Sequence, residues 1–256
     1  MSDPLELSGN VAVVTGASRG IGSAIATRFA DAGAAVVVHY REREADARTL
    51  AAKLQEKGAR AVALGADLRN PDEVEALFRV ASEELAEPDI LINNAGSYPL
   101  APLVEAAFAE WKSVVETNLL SVHLSTQAFA RRLLARGAPG AVVNVASIEG
   151  LRPAPDHSHY VAAKSGVLAY TRSAALELGP KGIRVNAVSP GLIWRESIEE
   201  AWPEGVASFR ARAPLRRLGR PVEVAEACLF LASPRSSFVT GANLVVDGGV
   251  LAAAAF

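Results

Sequence analysis

Val11-Ala12-Val13-Val14-Thr15-Gly16-Ala17-Ser18-Arg19-Gly20-Ile21-Gly22 is the stretch on which the fold turns. Its first part is a short β-branched run without polar alternation, the pattern of a strand covered on both faces. Three glycines follow in the spacing Gly16-x3-Gly20-x-Gly22, and a helical pattern begins beyond them. Gly16 allows a tight turn off the strand, and Gly20 and Gly22 remove side chains where backbone must approach phosphate or sheet. The helix start adds amide donors and the positive end of a dipole. The spacing differs from the commoner G-x-G-x-x-G dinucleotide turn, but the physics is the same. A P-loop is the competing nucleotide reading; no Gly-Lys-Ser/Thr follows, so ATP or GTP chemistry lacks its lysine.

Outward from this stretch, similar apolar runs recur at Ala35–His39, Arg60–Leu64, Ile90–Asn93, Ala141–Val145, Ile183–Val188 and Asn243–Val246, separated by longer helical patterns. Asn70-Pro71-Asp72-Glu73 carries an Asn cap, a proline at the first helical position and acids in the first turn. Gly33, Gly58, Gly137 and Gly182 punctuate helix ends, with Gly137 and Gly182 not necessarily the cap residues. This alternation predicts an α/β fold: a Rossmann-type doubly wound parallel sheet of about seven strands with helices on both faces. No linker, repeat or low-complexity tract divides the 256 residues, so one domain over 1–256 is expected. The alanine-rich tail, Leu251 to Ala255, reads as a terminal extension.

Half of the residues are apolar and the formal charge is −2, which argues against a nucleic-acid or membrane-surface role driven by net charge. Cys228 is the single cysteine, excluding an intrachain disulfide, and its apolar helical context suggests a buried small hydrophobe. Met1-Ser2-Asp3-Pro4 lacks the charged start and apolar stretch of a secretory signal, and nothing approaches a membrane span, so a cytoplasmic location is expected. No residues are assigned to a metal.

Tyr160 and Lys164 stand at i and i+4, so they project from one helix face, where an ammonium can be held close to a phenol and make it a usable acid. Ser147 precedes the tyrosine and ends an apolar strand, which points it into the crevice at the carboxyl edge of the sheet. With the glycine turn, these residues point to redox chemistry. A serine hydrolase is the mechanistic rival, but Ser147 has no Gly-x-Ser-x-Gly elbow, and His157 and His159 show no evident acidic orienter.

Thr15-Gly16-Ala17-Ser18-Arg19-Gly20-Ile21-Gly22, Asn93-Asn94-Ala95-Gly96, Asn118, Ser147, Tyr160-x3-Lys164, Ser189-Pro190-Gly191 and Val246-Asp247-Gly248-Gly249 occur in the order and approximate spacing of a known pattern. In this the chain resembles the short-chain dehydrogenase/reductase family, in particular its single-domain members of about this length, over nearly its whole extent. The resemblance implies that Tyr160 exchanges a proton with the substrate oxygen as hydride moves to or from a nicotinamide, that Ser147 hydrogen-bonds that oxygen, and that Lys164 tunes the tyrosine and holds the nicotinamide ribose. Asn118 would bend its helix and hold a water beside the lysine. An ammonium about 5 Å from the phenol at an effective dielectric of about 20 would stabilise phenolate by roughly 3 kcal/mol, about two pKa units.

By the same resemblance, the cofactor would contact Gly16, Ser18, Arg19, Gly20, Ile21, Gly22, Asp67, Leu68, Asn94, Ala95, Gly96, Pro190, Gly191 and Ile193, besides Tyr160 and Lys164. NAD-preferring relatives place an acid at the end of the second strand; here Tyr40 stands there, followed by Arg41. Arg19 and Arg41 are suited to a 2′-phosphate, so NADP(H) is favoured and NAD(H) is the alternative; Arg41 could equally be a solvated charge among Glu42 and Glu44. Relatives often carry a threonine after Pro-Gly-x-Ile-x, where this chain has Arg195, which would bind pyrophosphate or an anionic substrate, or face solvent.

The substrate side is expected to be walled by Ser97–Leu103, Ile148–Ser158 and a lid at 192–214. Tyr98, Leu151, Trp194, Trp202 and Phe209 would make it largely apolar, with Glu149 and His157 as polar selectors. The expected partner is a small carbonyl or alcohol, with a ketone, a β-ketoacyl thioester and a sugar all open. The family resemblance further implies a homotetramer, or a dimer. A non-catalytic dinucleotide-sensing protein is the reading from another class; it would need the glycine turn but not the tetrad.

Overall fold

The computed structural model describes residues 6–252. The N-terminal Met1–Pro4 and positions 253–255 of the alanine-rich tail lie outside the described residues. The strands are β1 (Val11–Val14), β2 (Ala35–Tyr40), β3 (Ala61–Gly65), β4 (Ile90–Asn93), β5 (Gly140–Val145), β6 (Ile183–Pro190) and β7 (Asn243–Val246). They form one seven-stranded sheet in the order β3-β2-β1-β4-β5-β6-β7, every pairing parallel. Each strand falls within one or two residues of its predicted run. The larger extension, β6 through Pro190, arises because the outermost strand continues the pairing there, Pro190 lying opposite Val246.

The helices are α1 (Gly20–Asp31), α2 (Glu44–Glu56), α3 (Pro71–Glu84), α4 (Phe108–Val115), α5 (Ser121–Arg136), α6 (Ser158–Leu178), α7 (Ile198–Ala201), α8 (Pro203–Arg212) and α9 (Pro221–Ala232). One apolar layer packs Ile25 and Phe29 of α1 and Cys228, Leu229 and Leu231 of α9 on the sheet. The other packs Leu77 and Phe78 of α3 with Phe129 and Leu133 of α5. Central strands buried on both faces need no polar alternation, which is why β1 is apolar throughout and β4 is apolar up to Asn93. Asn70 caps α3, its side chain accepting from the Asp72 amide at 3.0 Å, and Pro71 fills the first position. Gly137 is itself the cap of α5, in the left-handed region at φ 62°.

Strand order reverses beside β1, so the sheet opens a crevice at the carboxyl ends of β1 and β4. A buried polar chain anchors the helices that flank it. Asn93 donates to Asn144 (2.8 Å) and Thr126 (3.0 Å), and Asn144 donates to Thr171 (2.9 Å), tying β4, β5, α5 and α6 together. The 192–214 segment folds into α7 and α8 around its own apolar cluster of Ile198, Val206, Phe209, Ala213, Leu218 and Val250. Phe209 is therefore not a pocket wall. Its ring lies inside that cluster, where the distance a side chain at Gly191 would leave to it is only 3.2 Å. No helix among the described residues is long and apolar enough to cross a membrane.

Candidate active site

The glycine turn is braced from beneath. The Gly16 amide donates to Nδ1 of buried His39 at 3.0 Å, and the other ring nitrogen of His39 lies 3.0 Å from the Ala66 carbonyl. A carbonyl only accepts, so the proton sits on Nε2 and the ring is neutral; burial pushes its pKa down to about 4. Thr15 Oγ1 accepts from the Asn94 and Ala95 amides at 2.9 and 3.0 Å, and Asn94 Nδ2 donates to the carbonyls of Thr15 and Gly16. Both side-chain amide protons of Asn94 thus hold the turn; what it offers a ligand is its carbonyl oxygen and the adjoining backbone. A β-carbon at Gly22 would lie 2.3 Å from the Gly16 carbonyl, so that glycine serves the packing of helix against turn. Gly20, at φ 58°, has no heavy atom within 4 Å of such a carbon and faces open space.

No side chain caps α1, so its first-turn amides stand free at the crevice mouth beside Ser18 and Ile21. This cradle fits a pyrophosphate. Arg19 is exposed and, with Gly96, Ser97, Tyr98 and Val114, lines a cleft of about 470 Å3. At the far end of β2, the Tyr40 ring lies against Gly65, and Arg41 donates to Glu42 through Nε at 3.0 Å. Asp67 accepts from Arg69, which holds its carboxyl down to about 2, and Leu68 is buried. Arg195 is exposed, with no acidic partner within ion-pair distance among the described residues.

Past β4 and β5 the remaining residues converge. Lys164 is buried, donates to the Val145 carbonyl at 2.8 Å, and lies 5.6 Å from the centre of the Tyr160 ring. The Ile148–Gly150 turn fixes this register: a β-carbon at Gly150 would come within 2.9 Å of the Lys164 backbone, and Ser165 Oγ donates to the Gly150 carbonyl at 3.0 Å. Ser147, at the end of β5, accepts from the Glu149 amide at 3.1 Å. Asn118 sits in a π-helical segment, Glu116–Leu120, between α4 and α5. Its Nδ2 donates to the carbonyls of Ser97 and Val114, while its buried Oδ1 has no partner among the described residues. A β-carbon at Gly96 would approach that oxygen to 2.6 Å and Lys164 Nζ to 3.7 Å, so only glycine leaves the space open.

Two expectations are corrected here. The phenol of Tyr160 is raised above its ordinary pKa, because burial removes water from the phenolate and outweighs the neighbouring Ser147 hydroxyl, with Glu149 adding to the rise. The lysine does not offset this: its ammonium faces the Val145 carbonyl, and its own burial lowers its pKa to about 8. The screening assumed for exposed charges omitted the cost of drying both groups. Secondly, His157 does have an acidic orienter, Glu149, with Nδ1 2.7 Å from Oε2. The pair flanks the tyrosine ring and not Ser147 in a nucleophilic relay, the His157 and Tyr160 ring centres lying 5.7 Å apart.

Sequence reasoning missed the bracing roles of Thr15 and His39 and the anchoring by Asn144 and Thr171. The available signal was a polar residue in an otherwise apolar strand, as His39 is in Ala35–Tyr40 and Asn144 in Gly140–Val145.

The architecture and site together define a dinucleotide-binding α/β oxidoreductase. A family model described as Enoyl-(Acyl carrier protein) reductase matches residues 16–251. The chain belongs to the short-chain dehydrogenase/reductase family. It is 45% identical to a cis-4-hydroxycyclohexanecarboxylate dehydrogenase of Sinomonas cyclohexanicum over 94% of this chain and 96% of that protein. It is 37% identical to a 3-oxoacyl-[acyl-carrier-protein] reductase of a Synechocystis strain, covering 96% and 98%. Among solved structures, a gluconate 5-dehydrogenase from Burkholderia cenocepacia in complex with NADP and tartrate superposes with a TM-score of 0.92 at 33% identity, covering 98% and 99%.

Proposed function

We propose that the chain is an NADP(H)-preferring carbonyl reductase, interconverting a ketone and a secondary alcohol. The observation that carries this is the convergence of Ser147, Tyr160, Lys164 and Asn118 beyond β4 and β5, beside the braced glycine turn. The cofactor supplies or accepts the hydride when bound. Gly16, Ser18, Arg19, Gly20, Ile21 and Gly22 would hold its pyrophosphate, Tyr40, Arg41, Asp67, Leu68, Asn94, Ala95 and Gly96 its adenosine half, and Pro190, Gly191 and Ile193 its nicotinamide. Tyr160 delivers the proton to the carbonyl oxygen, Ser147 donates a hydrogen bond to that oxygen, and Lys164 replaces the proton through a water held by Asn118 Oδ1. The raised phenol keeps its proton at rest, so the proton is present for delivery to the carbonyl oxygen. Residues 192–214 act as the lid of a single domain, and the chain assembles as a homotetramer in the cytoplasm.

One feature favours the alternative, an NAD-linked sugar- or steroid-type alcohol dehydrogenase: Glu42 already engages Arg41 and competes with a 2′-phosphate. For the main reading the test is Tyr160→Phe, assayed by absorbance of the reduced nicotinamide across a ketone panel. Turnover is expected to fall roughly 10²- to 10⁴-fold with cofactor affinity retained. Full turnover by the variant would overturn the assignment.

A further inference from the structure

Glu149 follows the Ser147 turn and His157 precedes α6, and their side chains meet at 2.7 Å, both partly buried. A carboxylate only accepts, so Nδ1 carries a proton, and in the neutral ring Nε2 keeps its lone pair and accepts. That Nε2 is buried and has no partner among the described residues. A buried acceptor without a donor destabilises a fold, and such a group is kept where something else meets it. The ring is also firmly placed. The His157 carbonyl accepts from the Val161 amide at 2.8 Å, and the neighbouring Asp156 carbonyl accepts from Ala101 at 2.8 Å, which joins this segment to the loop carrying Tyr98. Tyr98 and His157 both contact the Tyr160 ring, at 6.1 and 5.7 Å between centres.

We propose that His157, oriented by Glu149, is a specificity-determining residue that accepts a hydrogen bond from a substrate hydroxyl close to the reacting carbon, so that the preferred substrates are hydroxylated ketones and the corresponding diols. This rests on the carbonyl-reductase reading above. The electrostatics of the corner favour a hydroxyl over an acid. The negative charge of Glu149 reaches Tyr160, and the buried cation, Lys164, is turned to the Val145 carbonyl. A substrate carboxylate placed there would face Glu149, whereas a hydroxyl donates to Nε2 without bringing a charge out of water.

The test compares cis-1,2-cyclohexanediol with cyclohexanol, binding to the protein loaded with reduced NADP, with which an alcohol cannot react, being measured by calorimetry. The diol is expected to bind about tenfold more tightly, and the ¹⁵N resonance of His157 Nε2 should move with the diol and not with cyclohexanol. His157→Asn keeps an amide where Nδ1 meets Glu149 but has no atom at Nε2; it should bind both alcohols alike, with cyclohexanol affinity within about twofold of native. His157→Gln, which returns a polar atom near Nε2, should restore part of the preference. Equal affinities in the native protein, undetectable binding of both included, would overturn the proposal, as would an unmoved Nε2 resonance or a preference that survives in His157→Asn. Should His157→Asn melt early, the native resonance and His157→Gln decide. These are binding readouts, so they stand apart from turnover: failure to oxidise or reduce any member of a broad panel would count against the reductase reading instead.

Discussion

The two ends of the crevice are built on opposite terms. Beneath the glycine turn the polar groups are satisfied within the protein, Gly16 on His39, Thr15 on Asn94 and Ala95, Asn94 on Thr15 and Gly16, and the first-turn amides of α1 alone are left open. Around α6 the reverse holds, and Asn118 Oδ1, His157 Nε2, Ser158 Oγ and His159 Nε2 are buried without partners among the described residues. The cofactor end is a rigid receptor formed in advance, whereas the reaction end keeps unmet hydrogen-bonding capacity and buried ionisable groups at a cost of about 1–3 kcal/mol for each unsatisfied polar atom. Stability and activity should therefore respond to mutation differently at the two ends.

Lys164→Met gives the largest expected effect and probes the costly end. Turnover should fall about 10²- to 10⁴-fold. Stability should rise by about 1–3 kcal/mol near neutral pH, because the buried amine holds its pKa at about 8 against 10.5 unfolded. The unfolded lysine binds its proton more firmly, so folding is penalised below pH 8 and the penalty fades as pH climbs toward 10.5. Thermal melts at pH 7 and pH 10 measure it, and a variant less stable than native at pH 7 would break the contrast.

Gly22→Ala probes the rigid end, where the new carbon would press to 2.3 Å on the Gly16 carbonyl and 2.9 Å on the Ala17 backbone. It should lower stability by about 3–5 kcal/mol and abolish cofactor binding together, measured by denaturant unfolding and fluorescence titration. The native protein should then lose up to about 3 kcal/mol on acidification as His39 charges. Unfolded histidine takes its proton near 6.5 and the folded ring only near 4, so the contribution is intact above pH 6.5 and lost as pH falls to 4. His39→Gln should flatten that slope in denaturant melts across the interval. Smallest is Arg41→Ala, expected to weaken NADPH binding about tenfold and leave NADH within about twofold; equal loss of both would sharpen the comparison toward the NAD-linked alternative.

Most of the fold was legible because its signals are local. The run Val11–Val14, the glycines after it and the Asn70-Pro71 cap each act through neighbours a few residues away, and each appears where expected. The Tyr160 and Lys164 spacing likewise places them on one helix face by backbone geometry alone. Phe209 was misplaced because an aromatic residue in a lid pattern can serve a pocket or a small core equally well, and only the arrival of Ile198, Leu218 and Val250 chose the core.

The amino-acid order by itself determined the strand and helix alternation, the glycine turn and the pairing of Tyr160 with Lys164 on one helix face, since periodicity and chain stereochemistry need no distant partner. Tertiary structure alone decided the protonation preferences of Tyr160 and Lys164, the meeting of Glu149 with His157 and the support of the turn by His39. Those depend on how completely water is removed and on which groups from remote segments are brought together, and both are properties of the packed molecule.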